Sequence, residues 1–171
     1  VELKPADKTA DASPAQVIDL EKLDQGAGFD RRQTNLQEFD RVLGGGITPG
    51  SLILLGGEPG IGKSTLVAQI AAAVNGQSIY VSGEESASQI KARFDRLSIK
   101  PEKIKFLNET NAEKIIAAIN QLKPGLVIID SIQTIYSSAI AGESGGLNQI
   151  RGSAVSFLET AKKNNVAIIL I

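Results

Sequence analysis

The sequence lacks two of the residue types on which protein chemistry most often depends. It contains no cysteine, which excludes disulfide bonds and thiolate metal sites. It contains no histidine, so the commonest metal ligand and the commonest general base are both missing. Any acid–base catalysis must therefore fall to carboxylates. Aromatic residues make up only 4% of the chain, which predicts a core of aliphatic side chains.

Long apolar runs are missing as well. No run approaches the roughly 20 residues that a membrane-spanning helix needs, and no signal peptide opens the sequence. A length of 171 residues and a hydrophobic content of 42% suit one domain with its own core. We therefore expect a cytoplasmic domain that makes no membrane contact.

Charge is distributed unevenly along the chain. Residues 1–30 carry a net charge of −4, and the remaining 141 residues carry +3. Because the first 30 residues also lack a sustained apolar period, we predict a largely disordered linker or tail there, with one short extended segment at 17–20. The folded domain is predicted over 31–171. Its weak positive charge is compatible with a nucleic-acid partner without indicating one.

The two ends of the sequence indicate a fragment. The chain starts without methionine and stops at 166–171, six apolar residues that resemble a buried strand. Since a natural domain rarely ends inside a central strand, we expect that it is cut at both ends.

From Thr34 onward, short aliphatic runs alternate with helical patterns. Helices are predicted over 64–74, 85–97 and about 148–164, and two more are predicted to begin at capping boxes, Thr34 with Gln37 and Thr110 with Glu113. The predicted strands are 51–56, 78–82, 104–107, 126–130 and 166–171. The first of them shows no polar alternation, as expected when both faces are covered. This alternation predicts an α/β fold, a mostly parallel central sheet with helices on both faces, whose ligands bind beyond the carboxyl ends of the strands.

Residues 57–64, G-E-P-G-I-G-K-S, match the phosphate-binding loop pattern G-x-x-x-x-G-K-[ST]. The match follows a hydrophobic strand and opens a helix, as the motif requires. Its glycines let several N–H groups point at one centre, and the helix adds its positive end. Lys63 is predicted to contact the β and γ phosphates of a nucleotide, and the Ser64 hydroxyl to ligate Mg²⁺. The predicted nucleotide-binding residues are Gly57, Glu58, Pro59, Gly60, Ile61, Gly62, Lys63, Ser64 and Thr65.

Asp130 ends the aliphatic run L-V-I-I at 126–129, the pattern of a Walker B acid. Its carboxylate would hold the magnesium ion directly or through water. Ser131 follows at once and could form a hydrogen bond near the metal. The structural alternative is an aspartate that only caps the next turn.

Hydrolysis of a nucleotide also needs a group that activates water, and Glu84 and Glu85 follow the strand 78–82. The sheet rule places them on the same rim as Lys63 and Asp130, where a carboxylate can orient the attacking water. We prefer Glu84 as the catalytic base because it is nearer to the strand end, and Glu85 is the second candidate. The alternative is that both acids only favour the N-terminus of the following helix.

Two further features carry weaker signals. The segment 137–149 is rich in glycine and serine and is predicted to be a mobile loop on the same rim, equally suited to touching DNA or to being slack chain. A basic cluster is predicted to be a solvated face; it comprises Lys91, Arg93, Arg96, Lys100, Lys103 and Lys105.

Four strings carry a resemblance to a known family: L-G-G-G-I at 43–47, the phosphate loop, Y-V-S-G-E-E-S at 80–86 and I-I-D-S-I-Q-T at 128–134. On them, residues 34–171 resemble the ATPase domain of the bacterial RadA (Sms) family of DNA repair proteins, within the RecA superfamily. The last two strings are distinctive, whereas the phosphate loop is shared very widely. By resemblance, Glu84 falls at the position of the superfamily's water-activating glutamate.

The resemblance implies a RecA-like P-loop core that binds ATP or ADP with Mg²⁺ in the bacterial cytoplasm. It further implies a helicase-type motor, a homo-oligomeric hexameric ring that binds single-stranded DNA, drives branch migration of recombination intermediates and has a recombinase partner. The family's four-cysteine zinc finger, and with it zinc, has no counterpart in this cysteine-free sequence. The family's K-N-R-F-G motif and Lon-protease-like domain would follow Ile171, so we expect a truncated domain that on its own binds nucleotide but need not hydrolyse it.

Two other functions stay open at this point. One is a KaiC-like ATPase or autokinase, a signalling protein of the same superfamily that also has paired glutamates after this strand. The other is a nucleotide-gated interaction module without enzymatic activity. DNA-stimulated ATP turnover would favour the motor over both, and a phosphorylated serine or threonine would favour the autokinase.

Overall fold

The computed structural model describes Val17, Asp19, Glu21 and residues 30–171. The tail predicted over 1–30, including its extended segment at 17–20, therefore falls almost wholly outside the described residues.

Helices and strands alternate along the described chain much as the sequence predicts. The strands are β1 (Leu52–Leu54), β2 (Ser78–Ser82), β3 (Ile104–Leu107), β4 (Leu126–Asp130) and β5 (Ala167–Leu170). The helices are α1 (Gln37–Val42), α2 (Lys63–Ala73), α3 (Ala87–Arg96), α4 (Ala112–Leu122) and α5 (Leu147–Asn164), with single 3₁₀ turns at Pro101–Lys103 and Ile132–Thr134. None of the helices in the described ranges is both long enough and apolar enough to cross a membrane.

All five strands are parallel and lie in the order β1-β5-β4-β2-β3. The chain moves from β1 through β2 to β3 in one direction across the sheet and then returns through β4 to β5. Because crossovers between parallel strands are right-handed, α2 and α3 cover one face and α4 and α5 cover the other. The predicted α/β fold with a parallel sheet and helices on both faces is confirmed.

The core is divided into two layers by the sheet. Alternate residues of each strand point to opposite faces, so Tyr80 and Ile128 pack with α2 and α3, whereas Val81 and Ile129 pack with α4 and α5. The helices contribute mainly isoleucine and alanine to both layers, with one buried phenylalanine in each. The prediction of an aliphatic core is therefore confirmed.

The first strand differs from the prediction of a covered strand over 51–56. It is only three residues long, and Leu54 is 72% exposed. The physical reason is its position, since in the described part of the chain β1 pairs with β5 alone. In contrast β5, predicted from the apolar run at 166–171, is buried along its whole length between β1 and β4.

The capping box predicted for the first helix is wrong. Helix α1 begins after Leu36, which makes no side-chain cap bond, and Thr34 lies outside the helix. The Asp40 carboxylate instead accepts hydrogen bonds from the Thr34 hydroxyl at 2.8 Å and from the Asn35 N–H at 3.1 Å. A charged acceptor makes stronger hydrogen bonds than a neutral one, which accounts for the choice of Asp40 over the predicted partner, Gln37.

The second predicted capping box, Thr110 with Glu113, is also wrong. Helix α4 begins one residue later than the box requires, and the Asn111 side chain caps it by accepting from the Lys114 N–H at 2.9 Å. The Glu113 carboxylate is drawn away because it accepts a hydrogen bond from the Ser137 hydroxyl. Tertiary contacts thus select the cap among neighbouring polar residues.

Candidate functional site

Three strands bring the predicted site residues to the carboxyl edge of the sheet. β1 leads into the phosphate loop, β4 ends at Asp130, and Ser82 at the end of β2 is paired with Asp130. Only β5 separates β1 from β4, so the loop and Asp130 start two strand spacings apart, about 10 Å.

The phosphate loop leads directly into helix α2. Gly62 is the N-cap with φ 99° and ψ 15°, a left-handed conformation that strains any residue with a side chain. The first turn of α2 contains no acidic residue, so the positive end of the helix dipole faces the loop uncompensated. The Lys63 ammonium lies within the loop and donates to the carbonyls of Gly57 at 2.8 Å and Glu58 at 2.9 Å. These features together form a cradle suited to an anion.

Asp130 is held by a residue that the sequence analysis did not single out. The Tyr80 hydroxyl donates to Asp130 Oδ2 at 2.6 Å, and the Asp130 side chain is only 12% exposed. Burial, and then the negative charge of Asp130, raise the pKa of Tyr80 well above its ordinary value, so the phenol stays a neutral donor. The peptide bond between Asp130 and Ser131 is cis. The one sequence signal for the role of Tyr80 was an aromatic residue between the aliphatic Ile79 and Val81 of β2.

The two adjacent glutamates have different surroundings. Glu85 is 27% exposed and forms a salt bridge with Arg93 at 2.6 Å. Glu84 is exposed, and its Oε1 accepts a hydrogen bond from the Ser131 hydroxyl at 3.2 Å. Glu84 is therefore the more accessible carboxylate, and the predicted hydrogen bond of Ser131 goes to it.

Neither glutamate lies in the helix that follows. α3 starts at Ala87, two residues later than predicted, and contains no acid in its first turn. Ser86 and Gln89 form a capping box there, which the sequence analysis missed although the S-x-x-Q spacing is visible. Glu85 and Glu84 thus precede the N-cap, Ser86, by one and two residues.

Arg93 departs from the prediction of a solvated basic face. Its side chain is only 17% exposed, since it lies one helical turn after the buried Ile90 and faces the sheet. Besides Glu85, its guanidinium approaches Asp130 Oδ2 at 4.0 Å and the Tyr80 hydroxyl at 3.5 Å. The other members of the cluster are exposed as predicted: Lys91, Arg96, Lys100, Lys103 and Lys105.

Gly83 fixes the turn that presents the two glutamates. A β-carbon at this position would lie 2.8 Å from Thr134 Oγ1 and would collide with the methyl group of Thr110. Only glycine lets the turn approach the segments that follow β3 and β4 so closely. The Glu84–Ser131 hydrogen bond joins this turn to the segment that follows β4.

The segment 137–149 follows β4 on the same edge. Hydrogen bonds within this segment do not fit the slack chain that was one of its two predicted roles. The Gln149 side chain is 2% exposed and accepts from the Ser137 N–H at 2.8 Å. It also donates to the carbonyls of Ile140 at 2.6 Å and Gly142 at 3.1 Å. One buried amide therefore organises most of this segment.

The oxygen groups at this edge fit a magnesium ion that arrives with a nucleotide. Ser64 offers a hydroxyl and Asp130 a carboxylate, both of which are hard ligands. Among the described residues, no three histidine, cysteine, aspartate or glutamate side chains gather into a metal cage. The Ser64 hydroxyl and the Asp130 carboxylate suit Mg²⁺, which keeps several waters and shares its coordination with phosphates.

Comparison with known proteins places this chain in a family. A family model described as AAA domain matches residues 19–171. The DNA repair protein RadA of Streptococcus pneumoniae is 46% identical over 143 residues, 82% of this chain and 34% of that protein. The protein of the same name from Bacillus subtilis is 45% identical over 144 residues, 82% of this chain and 31% of that protein.

The Halalkalibacterium halodurans protein of that name is 48% identical over 144 residues, 82% of this chain and 32% of that protein. The resemblance drawn from the sequence strings is thus confirmed. The chain spans about a third of the length of the curated relatives it matches.

Proposed function

Because the chain belongs to the AAA domain family, we propose that it binds ATP with magnesium at the carboxyl edge of its sheet and hydrolyses it. The observation that carries this proposal is the convergence of the phosphate loop, Asp130 and an accessible Glu84 at one edge, from three different strands.

The phosphate loop is assigned to the nucleotide phosphates. Residues 57–65 supply N–H groups and the positive end of α2, and Lys63 supplies an ammonium that its two carbonyl contacts place within the loop. When ATP is bound, this ammonium contacts the β and γ phosphates and disperses the charge that develops as the terminal phosphate departs.

Ser64 and Asp130 are assigned to the metal. Bound Mg²⁺ would supply electrostatic stabilisation of the phosphates. The Ser64 hydroxyl ligates it, and Asp130 holds it directly or through water. A mostly buried carboxylate with a fixed hydrogen-bond donor is well suited to that role, because its orientation does not have to be established when the ligand arrives.

Glu84 is assigned as the group that orients the attacking water and accepts its proton. Its carboxylate is exposed at the edge, and the Ser131 hydroxyl engages Oε1 but not Oε2. Glu85 contributes less, because its charge is taken up by Arg93. In this assignment Glu84 is the catalytic base, and Glu85 is the partner of Arg93 in a salt bridge.

At the level of the whole protein we propose a DNA-dependent motor ATPase of recombinational repair. The relatives are named DNA repair proteins, and the strings S-G-E-E-S and D-S-I-Q-T are the ones that distinguish their family. The proposal includes a hexameric ring in the bacterial cytoplasm that drives branch migration on single-stranded DNA, with a recombinase as partner. DNA-stimulated ATP turnover separates it from a KaiC-like autokinase and from a non-enzymatic module.

The test compares Glu84→Gln with Glu85→Gln in the full-length protein. The amide preserves the size of the side chain and cannot accept a proton, so Glu84→Gln should keep ATP affinity and lower turnover by about 10²- to 10⁴-fold. Glu85→Gln should cost less. Turnover of the Glu84 variant within a few-fold of the parent would reject it as the base, and a large loss in the Glu85 variant alone would move the role by one residue.

A further inference from the structure

Tyr80 is a buried residue whose side-chain hydroxyl reaches Asp130, on the side of the site where Ser64 and Asp130 are proposed to hold the metal. Its ring has no exposed surface and packs edge-on against Phe94, with ring centroids 6.0 Å apart and an interplanar angle of 79°. Its hydroxyl bonds Asp130 Oδ2 at 2.6 Å. The hydroxyl is therefore held by the core and not by the loops around the site.

Strand register explains why this position needs a tyrosine. Tyr80 is paired with Ile128, and Ser82 with Asp130, so Tyr80 and Asp130 project from the same face with one two-residue step between them. Such a step is about 6–7 Å along a strand. A tyrosine ring spans that distance and ends in a donor, whereas phenylalanine would fill the same space without one.

The neighbouring positive charge does not bind Asp130 closely. Arg93 contacts Glu85 at 2.6 Å, but its nearest approach to Asp130 Oδ2 is 4.0 Å. A tight guanidinium–carboxylate pair would compete with a cation for the charge of Asp130. The neutral phenol donates a hydrogen bond to this mostly buried carboxylate without neutralising its charge.

We propose that Tyr80 is a positioning residue for the metal side of the site. It holds Asp130 by one neutral hydrogen bond to Oδ2, so that the carboxylate keeps a fixed orientation and its full charge for the magnesium ion. The proposal rests on the proposed function, since it assigns a role to Tyr80 only if Asp130 acts on the metal.

Tyr80→Phe in the full-length protein tests this, with Tyr136→Phe as the matched control because Tyr136, the other tyrosine of the chain, is 38% exposed. The affinity for a fluorescent ATP analogue is measured in EDTA and across a Mg²⁺ titration. Tyr80→Phe should leave the EDTA affinity within about two-fold and raise the half-maximal Mg²⁺ concentration by roughly 10-fold or more, the usual effect of losing an outer-shell partner. The control should match the parent in both.

The outcomes distinguish a failure of the proposed function from a failure of the role assigned to Tyr80. If the parent protein shows no Mg²⁺ dependence, the proposed function fails; if it does and Tyr80→Phe behaves like the control, only the role of Tyr80 fails. An equal loss of affinity with and without Mg²⁺ would make Tyr80 a structural residue and overturn the proposal. In an Asp130→Asn background, Tyr80→Phe should have no further effect on the Mg²⁺ requirement, and an undiminished effect there would also overturn it.

Discussion

A β-carbon added to Gly60 or Gly62, at the carboxyl edge of the sheet, would meet no other described atom within 4 Å. At the amino edge, one added to Gly46 would lie 2.7 Å from the carbonyl oxygen of Arg32. All three positions need glycine for its backbone conformation, but of these only Gly46 also needs it because another segment fills the space. The phosphate loop instead leaves room for a ligand beside its N–H groups.

Two cationic side chains, Arg31 and Lys63, show a related contrast. At the amino edge, Arg31 donates to the carbonyls of Leu43 and Gly46 and to the Thr48 hydroxyl, at 2.6, 3.2 and 3.0 Å. These bonds tie the segment that enters the domain to the turn before β1. At the carboxyl edge, Lys63 reaches only the carbonyls of its own loop. A cation that joins distant segments serves the fold, whereas one that bonds only to its own loop can exchange those bonds for phosphates.

Exchanging the two cations for alanine is the strongest way to test this contrast. Lys63→Ala should lower nucleotide affinity by about 100- to 1,000-fold, because it removes charge-assisted bonds to phosphate, and should leave stability nearly unchanged. Arg31→Ala should do the reverse, with a loss of about 1–2 kcal/mol in the free energy of unfolding and unchanged affinity.

Nucleotide titration and urea unfolding followed by circular dichroism measure both quantities on both variants. Undiminished affinity in Lys63→Ala would reject the phosphate-loop assignment. A loss of affinity in Arg31→Ala at full stability would break the comparison between the edges.

Glycine replacements sharpen the comparison at the level of packing. Gly46→Ala should lower the free energy of unfolding by about 3 kcal/mol, because a backbone with φ +128° must accept a side chain that overlaps a carbonyl oxygen. Gly56→Ala is the matched control at the other edge, where no positive φ is required and no described atom lies within 4 Å. It should change stability by less than about 0.5 kcal/mol. Equal losses in the two variants would contradict the assignment of crowding to Gly46 and of open space to Gly56.

The smallest effect concerns an acid at the carboxyl edge that serves the fold. The hydrogen bond from the Ser137 hydroxyl lowers the pKa of Glu113 below its ordinary value, so its contribution to stability is present above about pH 4.3 and is lost as the pH falls through the folded-state pKa. Glu113→Gln should therefore lower Tm at neutral pH by no more than about 2 °C, and the difference should shrink as the pH falls below about 4.3.

Thermal unfolding between pH 3 and 7 measures this effect, with the exposed Glu159→Gln on α5 as a control for the loss of one acid. A Tm difference that is constant over the whole pH range would show that Glu113 contributes by packing and not by its charge. Unlike Glu84, Glu113 should leave ATP turnover unchanged when replaced.

The sequence predicted the strands, and a loop that leads from β1 into α2, well because both depend on local patterns. Each predicted strand overlaps an observed one, since runs of aliphatic residues form strands wherever helices cover both faces. The helix starts were less predictable. At Thr34 and Thr110 several polar residues could cap the helix, and partners distant in the sequence, such as Ser137, decided among them.

Sequence also favoured Glu84 over Glu85, by its distance from the strand end and by the family resemblance. The structure adds the physical difference, which is that Arg93 returns from α3 and pairs with Glu85. Arg93 itself was grouped with surface lysines because a charge cluster does not indicate which member faces inward. That depends on the orientation of α3 over the sheet.

The amino-acid sequence by itself determined the chemistry available to this protein: no histidine or cysteine, a glycine-rich phosphate loop, and carboxylates directly after two aliphatic strands. The tertiary structure decided which of those groups are free to act. Strand order set Asp130 beside the end of β2, and register put the Tyr80 hydroxyl on its carboxylate. The physical reason is that backbone preferences are local, whereas hydrogen bonds and ion pairs between β2, α3 and β4 form only after the sheet has brought distant segments together.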